Sequence, residues 1–72
     1  MKTEYKYLEF KQIPSKDSRR KFICRNKKVG GELGEIRWFS DWKQYCFFPT
    51  VQAIYSSDCL NDIADFINHL EF

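Results

Sequence analysis

Cys24, Cys46, Cys59 and His69 are the soft metal ligands of this chain. Three thiolates and an imidazole could hold tetrahedral zinc. Structural zinc sites, however, draw their ligands from closely spaced pairs such as C-x-x-C, and none occurs here. No cysteine has a base beside it that would mark a nucleophile. Asp62 and Asp65 stand three apart on what reads as one polar helix face, a spacing that serves acid–base or metal chemistry only inside a cleft. His69 falls near the end of that helix, where a cation suits the last carbonyls. No serine, histidine and acid form a recognisable triad pattern. The expectation is a chain that is not an enzyme and has no metal and no cofactor. Three free thiols, no signal-peptide pattern and no apolar run of ~20 residues together point to a reducing cytoplasm and no membrane.

Binding chemistry is better represented. Residues 1–28 carry ten Lys or Arg against Glu4, Glu9 and Asp17, whereas residues 29–72 carry Arg37 and Lys43 against seven acids. Lys16, Arg19, Arg20, Lys21, Arg25, Lys27 and Lys28 could line a groove for single-stranded nucleic acid. Tyr5, Tyr7, Phe39, Trp42 and Phe48 would then offer stacking platforms. The same asymmetry also arises when a basic hairpin simply lies beside an acidic helix. The RNP pattern of an RRM is absent, and a net charge of +2 is small for a polyanion binder. A protein partner is therefore the preferred expectation. Trp42 and Arg37 are of types enriched at binding hot spots, and with Phe39 and Phe48 they form the candidate contact set. A free sheet edge would also permit a homodimer.

These residues need elements to hold them. Seventy-two residues allow one domain, spanning 1–72, with one core. Tyr5–Ile13 reads as a first strand with Leu8 and Phe10 on one face and Tyr5, Tyr7 and Ile13 on the other. Pro14 ends it, and PSKDSRR forms a polar loop. Residues 21–26 form a second strand, with Phe22 and Cys24 on one face and Ile23 on the other. A turn follows, carried by Lys27, Lys28, Gly30 and Gly31.

Leu33–Pro49 then reads as a hairpin. With Asp41 and Trp42 as its loop, Ser40 faces Lys43, Trp38 faces Tyr45 and Ile36 faces Phe47. Ile36, Trp38, Tyr45 and Phe47 become the inner face, and Glu35, Arg37, Phe39, Cys46 and Phe48 the outer one. Asp-Trp is a poor two-residue turn, so a loop of four or five residues is the alternative. Val51–Tyr55 alternates as a short fifth strand would. Ser56-Ser57 and Asp58 start a helix that runs to about Leu70. Leu60, Ile63, Ala64, Ile67 and Leu70 form its apolar stripe, flanked by Cys59 and Phe66. Asn61, Asp62, Asp65, Asn68 and Glu71 take the wet side. The fold class expected is α+β: an antiparallel four- or five-stranded sheet with one C-terminal helix packed on one face.

The pattern L-G-x-I-x-W-x-x-x-W-x-x-Y-x-F-x-P, from Leu33 to Pro49, is followed by Cys59-Leu60 and Ile63-Ala64-Asp65-Phe66-Ile67. Over roughly the last forty residues the chain thereby resembles small proteins of bacteriophages and mobile elements that have no assigned activity. That resemblance implies a genomic setting, and with it a stoichiometric modulator of a host or phage protein.

Overall fold

A computed structural model describes residues 1–70, and Glu71, read above as part of the polar helix face, lies outside the described residues. Four strands follow one another: β1 (Leu8–Ile13), β2 (Lys21–Asn26), β3 (Glu32–Phe39) and β4 (Gln44–Pro49). They form one antiparallel sheet in the order β1-β2-β3-β4. The helix α1 (Ser57–Leu70) covers one face.

Alternation decides which face is covered. Leu8 and Phe10 of β1, Phe22 and Cys24 of β2 and Ile36 of β3 point to one side and are buried with Ile63, Phe66 and Leu70 of α1. Phe66 is the centre of this packing. Its ring stacks on Phe10 at 4.0 Å between centroids and meets Phe22 edge-on at 4.9 Å. Burying several aromatic rings in so few residues offsets much of the chain entropy that a small domain must lose.

Four expectations from the sequence are corrected. The helix is rotated relative to the expected stripe: Leu60 is 51% exposed and Ala64 is exposed, while Phe66, read as a flank, is fully buried. Cys59 and Ile67 pack at the margin of the core. Tyr5 is buried rather than on the outer face. The amide of Tyr5 donates to the carbonyl of Leu8, and that of Phe10 to Thr3. The chain thus folds back over residues 5–8 before β1 begins, and strand alternation does not extend to Tyr5.

The third correction concerns Val51–Tyr55, which forms no strand. Gln52 has a φ of 72°, and Val51 and Ile54 are 90% and 89% exposed. The segment is held by side chains instead. The Thr50 amide and hydroxyl and the Tyr55 hydroxyl all donate to the Leu33 carbonyl. The Thr50 amide bond continues the β3–β4 register one step past Gly34–Pro49, and the two hydroxyls add to the same carbonyl. Finally, Trp38 does not join the core beneath the helix. Only Ile36 of the expected inner quartet is fully buried, with Tyr45 and Phe47 packed at the margin.

The hairpin register is as the sequence implied: Gly34–Pro49, Ile36–Phe47, Trp38–Tyr45 and Phe39–Gln44 pair. Its loop has the longer form, Ser40–Lys43. Two overlapping turns, Trp42 N–H to Phe39 and Lys43 N–H to Ser40, close it with Lys43 at φ 52°. The helix start is also as expected, because the Ser56 hydroxyl accepts from the Cys59 amide at 3.2 Å.

Candidate binding surface

A meander places alternate loops at the same end of a sheet. The β1–β2 loop and the β3–β4 loop therefore lie together, beyond Ile13, Lys21, Phe39 and Gln44. This end carries most of the residues that the sequence marked for binding.

On the face away from the helix, three aromatic rings form a chain. Trp42 meets Phe39 edge-on at 5.2 Å, and Phe39 meets Phe48 at 6.0 Å. The Arg37 guanidinium lies 3.5 Å from the Phe48 ring centre, a close cation–π contact. Its Nε is 3.3 Å from Glu35 Oε1, and Lys21 Nζ reaches the same carboxylate oxygen at 3.7 Å. Phe39 and Phe48 are half-buried by their neighbours, while Trp42 is 67% exposed at the tip. The four expected contact residues are thus contiguous, and each ring is braced by the next.

On the same end but toward the helix side, Arg19 lies over the Trp38 indole at 3.5 Å from the ring centre. Trp38 in turn meets Tyr45 edge-on at 5.4 Å. A cleft of about 320 Å³ opens between the β1–β2 loop and β3, lined by Lys16, Arg19, Arg20, Lys21, Arg37 and Trp38 among others. Asp17 also lines it, but its Oδ1 accepts from the Ser15 hydroxyl at 3.1 Å and from the Arg19 amide at 2.9 Å.

The other three basic candidates are elsewhere. Arg25 donates to the Gly30 carbonyl at 2.8 Å, Lys27 binds Glu4 and the Tyr5 carbonyl, and Lys28 stands 5.4 Å from the Tyr7 ring centre. All three sit at the opposite end of β2, about 15–20 Å away by strand rise. The basic residues therefore form two groups rather than one groove. Tyr5, being buried, presents no platform for a base.

The groups considered for catalysis or metal binding are dispersed. Cys24 is in the core, Cys46 is on the outer face and Cys59 is at the helix start; all are free thiols. Burial, with a smaller push from Cys59, takes the Cys24 thiol up to about 12. Asp65 accepts the Tyr5 hydroxyl proton at 2.7 Å. Burial first, then this bond and the charges of Asp65 and Asp62, raise the Tyr5 phenol well above its usual range. Burial also raises Tyr55, against a smaller lowering by Thr50. His69 Nδ1 lies 2.7 Å from the Asp65 carbonyl oxygen, one helical turn back. Among the described residues no three His, Cys, Asp or Glu side chains are grouped so as to hold a metal ion. Nor is any helix there long and apolar enough to cross a membrane.

The sequence alone missed the pairing of Arg19 with Trp38 and the cleft beside it. The available signal was the meander itself, which puts the loop after the first strand next to the loop after the third. In comparisons with known proteins, no family model, no curated protein and no solved structure matches this chain.

Proposed function

We propose that the chain is a non-enzymatic, stoichiometric binding module that docks on a partner protein through the β3–β4 end of its open sheet face. The observation that carries this reading is the braced aromatic row ending in Trp42. Trp42 is largely exposed, while the rings behind it and the Arg37 guanidinium already fix one another. Such pre-ordering lowers the entropy cost of docking, and Trp and Arg are frequent anchors of protein interfaces. Lys21, Arg37, Lys43 and the cations of the β1–β2 loop outnumber Asp17, Glu35 and Asp41 at this end, so the matching surface is acidic around an apolar centre.

The non-enzymatic reading is supported by the fate of the groups with raised pKa. Cys24 is sealed in the core, Tyr5 is tied to Asp65 and Tyr55 to Leu33. The resemblance to phage and mobile-element proteins, read from the sequence over roughly the last forty residues, supports a host or phage protein in the cytoplasm as the proposed target. Site-specific photo-crosslinking tests the surface: a probe at position 42 should capture one protein that then forms a stoichiometric complex when purified. A probe at position 60, on the exposed back of the helix, should not. Equal capture from both positions would remove the reading.

A second reading, single-stranded nucleic acid, is favoured by one observation: the two loops bring Lys16, Arg19, Arg20 and Lys21 to the same end as Trp42. It ranks lower because Arg25, Lys27 and Lys28 lie at the far end of β2, so the cations form no continuous groove. Anisotropy titrations with labelled oligonucleotides at low salt separate the two. Steep salt-dependent binding supports nucleic acid, and flat curves remove it. Light scattering distinguishes an external partner from self-pairing along β4, which has only one neighbouring strand in the sheet.

A further inference from the structure

The β1–β2 loop gathers charge without balancing it. Of the cations around the 320 Å³ cleft, Lys21 and Arg37 share the single carboxylate of Glu35. Lys16, Arg19 and Arg20 have no ion pair with any carboxylate of the described residues. Asp17, the acid of the loop, spends its oxygen on Ser15 and on the Arg19 backbone, folding the loop rather than pairing its guanidinium groups. Like charges held around a concave surface repel one another, and the arrangement is relieved when an anion enters.

We infer that this cleft is a binding site for the phosphoryl group of a small phosphorylated ligand. Guanidinium forks match phosphate oxygens in pairs, which a lone ammonium cannot do. Arg19 is held ready for this by its contact with Trp38, and Arg20 stands 5.8 Å from the Phe22 ring centre. Arg20 Nη1 also lies 3.7 Å from Met1 Sδ, a weak partner that leaves its charge unneutralised. A phosphate dianion fits three cations without a carboxylate partner better than a single carboxylate does. The cleft volume equals about ten waters at ~30 Å³ each, so room remains for the group that the phosphate is attached to. A planar base would continue the stack on the outer side of the Arg19 guanidinium, as bases do on arginine planes. The cleft shares Arg37, Lys21 and the loop cations with the proposed docking surface, but titration of the isolated chain tests it without a protein partner.

The test uses Trp42→Phe, which leaves Trp38 as the single indole. It is titrated with inorganic phosphate, pyrophosphate and a nucleoside diphosphate at ionic strength fixed with chloride. Saturable change in Trp38 emission, with amide shifts confined to residues 15–21 and 37–38, is the expected result. Arg19→Gln and Arg20→Gln should each weaken it at least tenfold, and Lys28→Gln, at the far end, by less than twofold. All three residues are exposed, and circular dichroism confirms that each variant is folded. Tighter binding of the nucleotide than of pyrophosphate would identify a base-bearing ligand, and equal binding a simple phosphate. No saturation above the chloride control would overturn the inference, as would equal weakening by Lys28→Gln and Arg19→Gln.

Discussion

The Phe66 ring lies flat on Phe10, with centroids 4.0 Å apart and planes within 5°. This contact joins the helix to the first strand and fixes which side of the sheet is closed. The opposite side is thereby left to the Trp42–Phe39–Phe48 row.

Phe66→Ala should cost about 3–5 kcal/mol, the usual loss for removing a buried aromatic ring, enough to unfold much of a domain this small. Leu60→Ala, on the same helix, should cost under about 0.5–1 kcal/mol because its side chain is half in water. Urea titrations followed by circular dichroism read both. The reverse order would restore the stripe centred on Leu60.

Gly34→Ala should destabilise by about 1–3 kcal/mol through overpacking. A Cβ there would come within 2.6 Å of both the Phe47 ring and the Phe48 carbonyl oxygen. Neither can withdraw easily, because one is packed at the core margin and the other is backbone. Unchanged stability in the same titration would show that β4 yields.

Stability should fall in alkali. The Cys24 thiol has an ordinary value of 9.0 and is pushed up to about 12 in the fold, and Tyr5 is raised from 10.0. The folded chain therefore holds protons that the unfolded chain has released, and stability declines as pH rises. The contribution is intact below about pH 9 and is lost as pH climbs toward 12. Cys24→Ala should lower stability at pH 7 yet flatten the slope just above pH 9. A slope identical to that of the parent chain would contradict the assignment.

Much of this was legible from residue order where local pattern and long-range packing agree. Trp38 opposite Tyr45 and Ile36 opposite Phe47 follow from strict alternation about a tight loop, and Ser56 announces the helix. Other features depend on partners distant in sequence. Leu60 and Phe66 are both apolar at helical spacing, and only the rings of Phe10 and Phe22 decide between them. Val51–Tyr55 alternates like a strand, but the backbone turns at Gln52 and only the Tyr55 side chain reaches back to the Leu33 carbonyl. Tyr5 is drawn inward by a fold-back that alternation does not encode. The candidate contact set Trp42, Arg37, Phe39 and Phe48 was readable because it lies within one hairpin. The cleft was not, because it joins Arg19 to Trp38 across two strands.

Trp42 is the proposed anchor of the protein interface. The direct measure of that role is the affinity of the reconstituted complex, by calorimetry, for the parent chain, Trp42→Ala and Leu60→Ala. Trp42→Ala should keep the fold, since the side chain is largely exposed, and should weaken binding by about 30-fold or more, as loss of a hot spot of about 2 kcal/mol implies. Leu60→Ala should bind like the parent. If Trp42→Ala binds within twofold of the parent chain, the partner docks elsewhere and the account of the open sheet face is wrong.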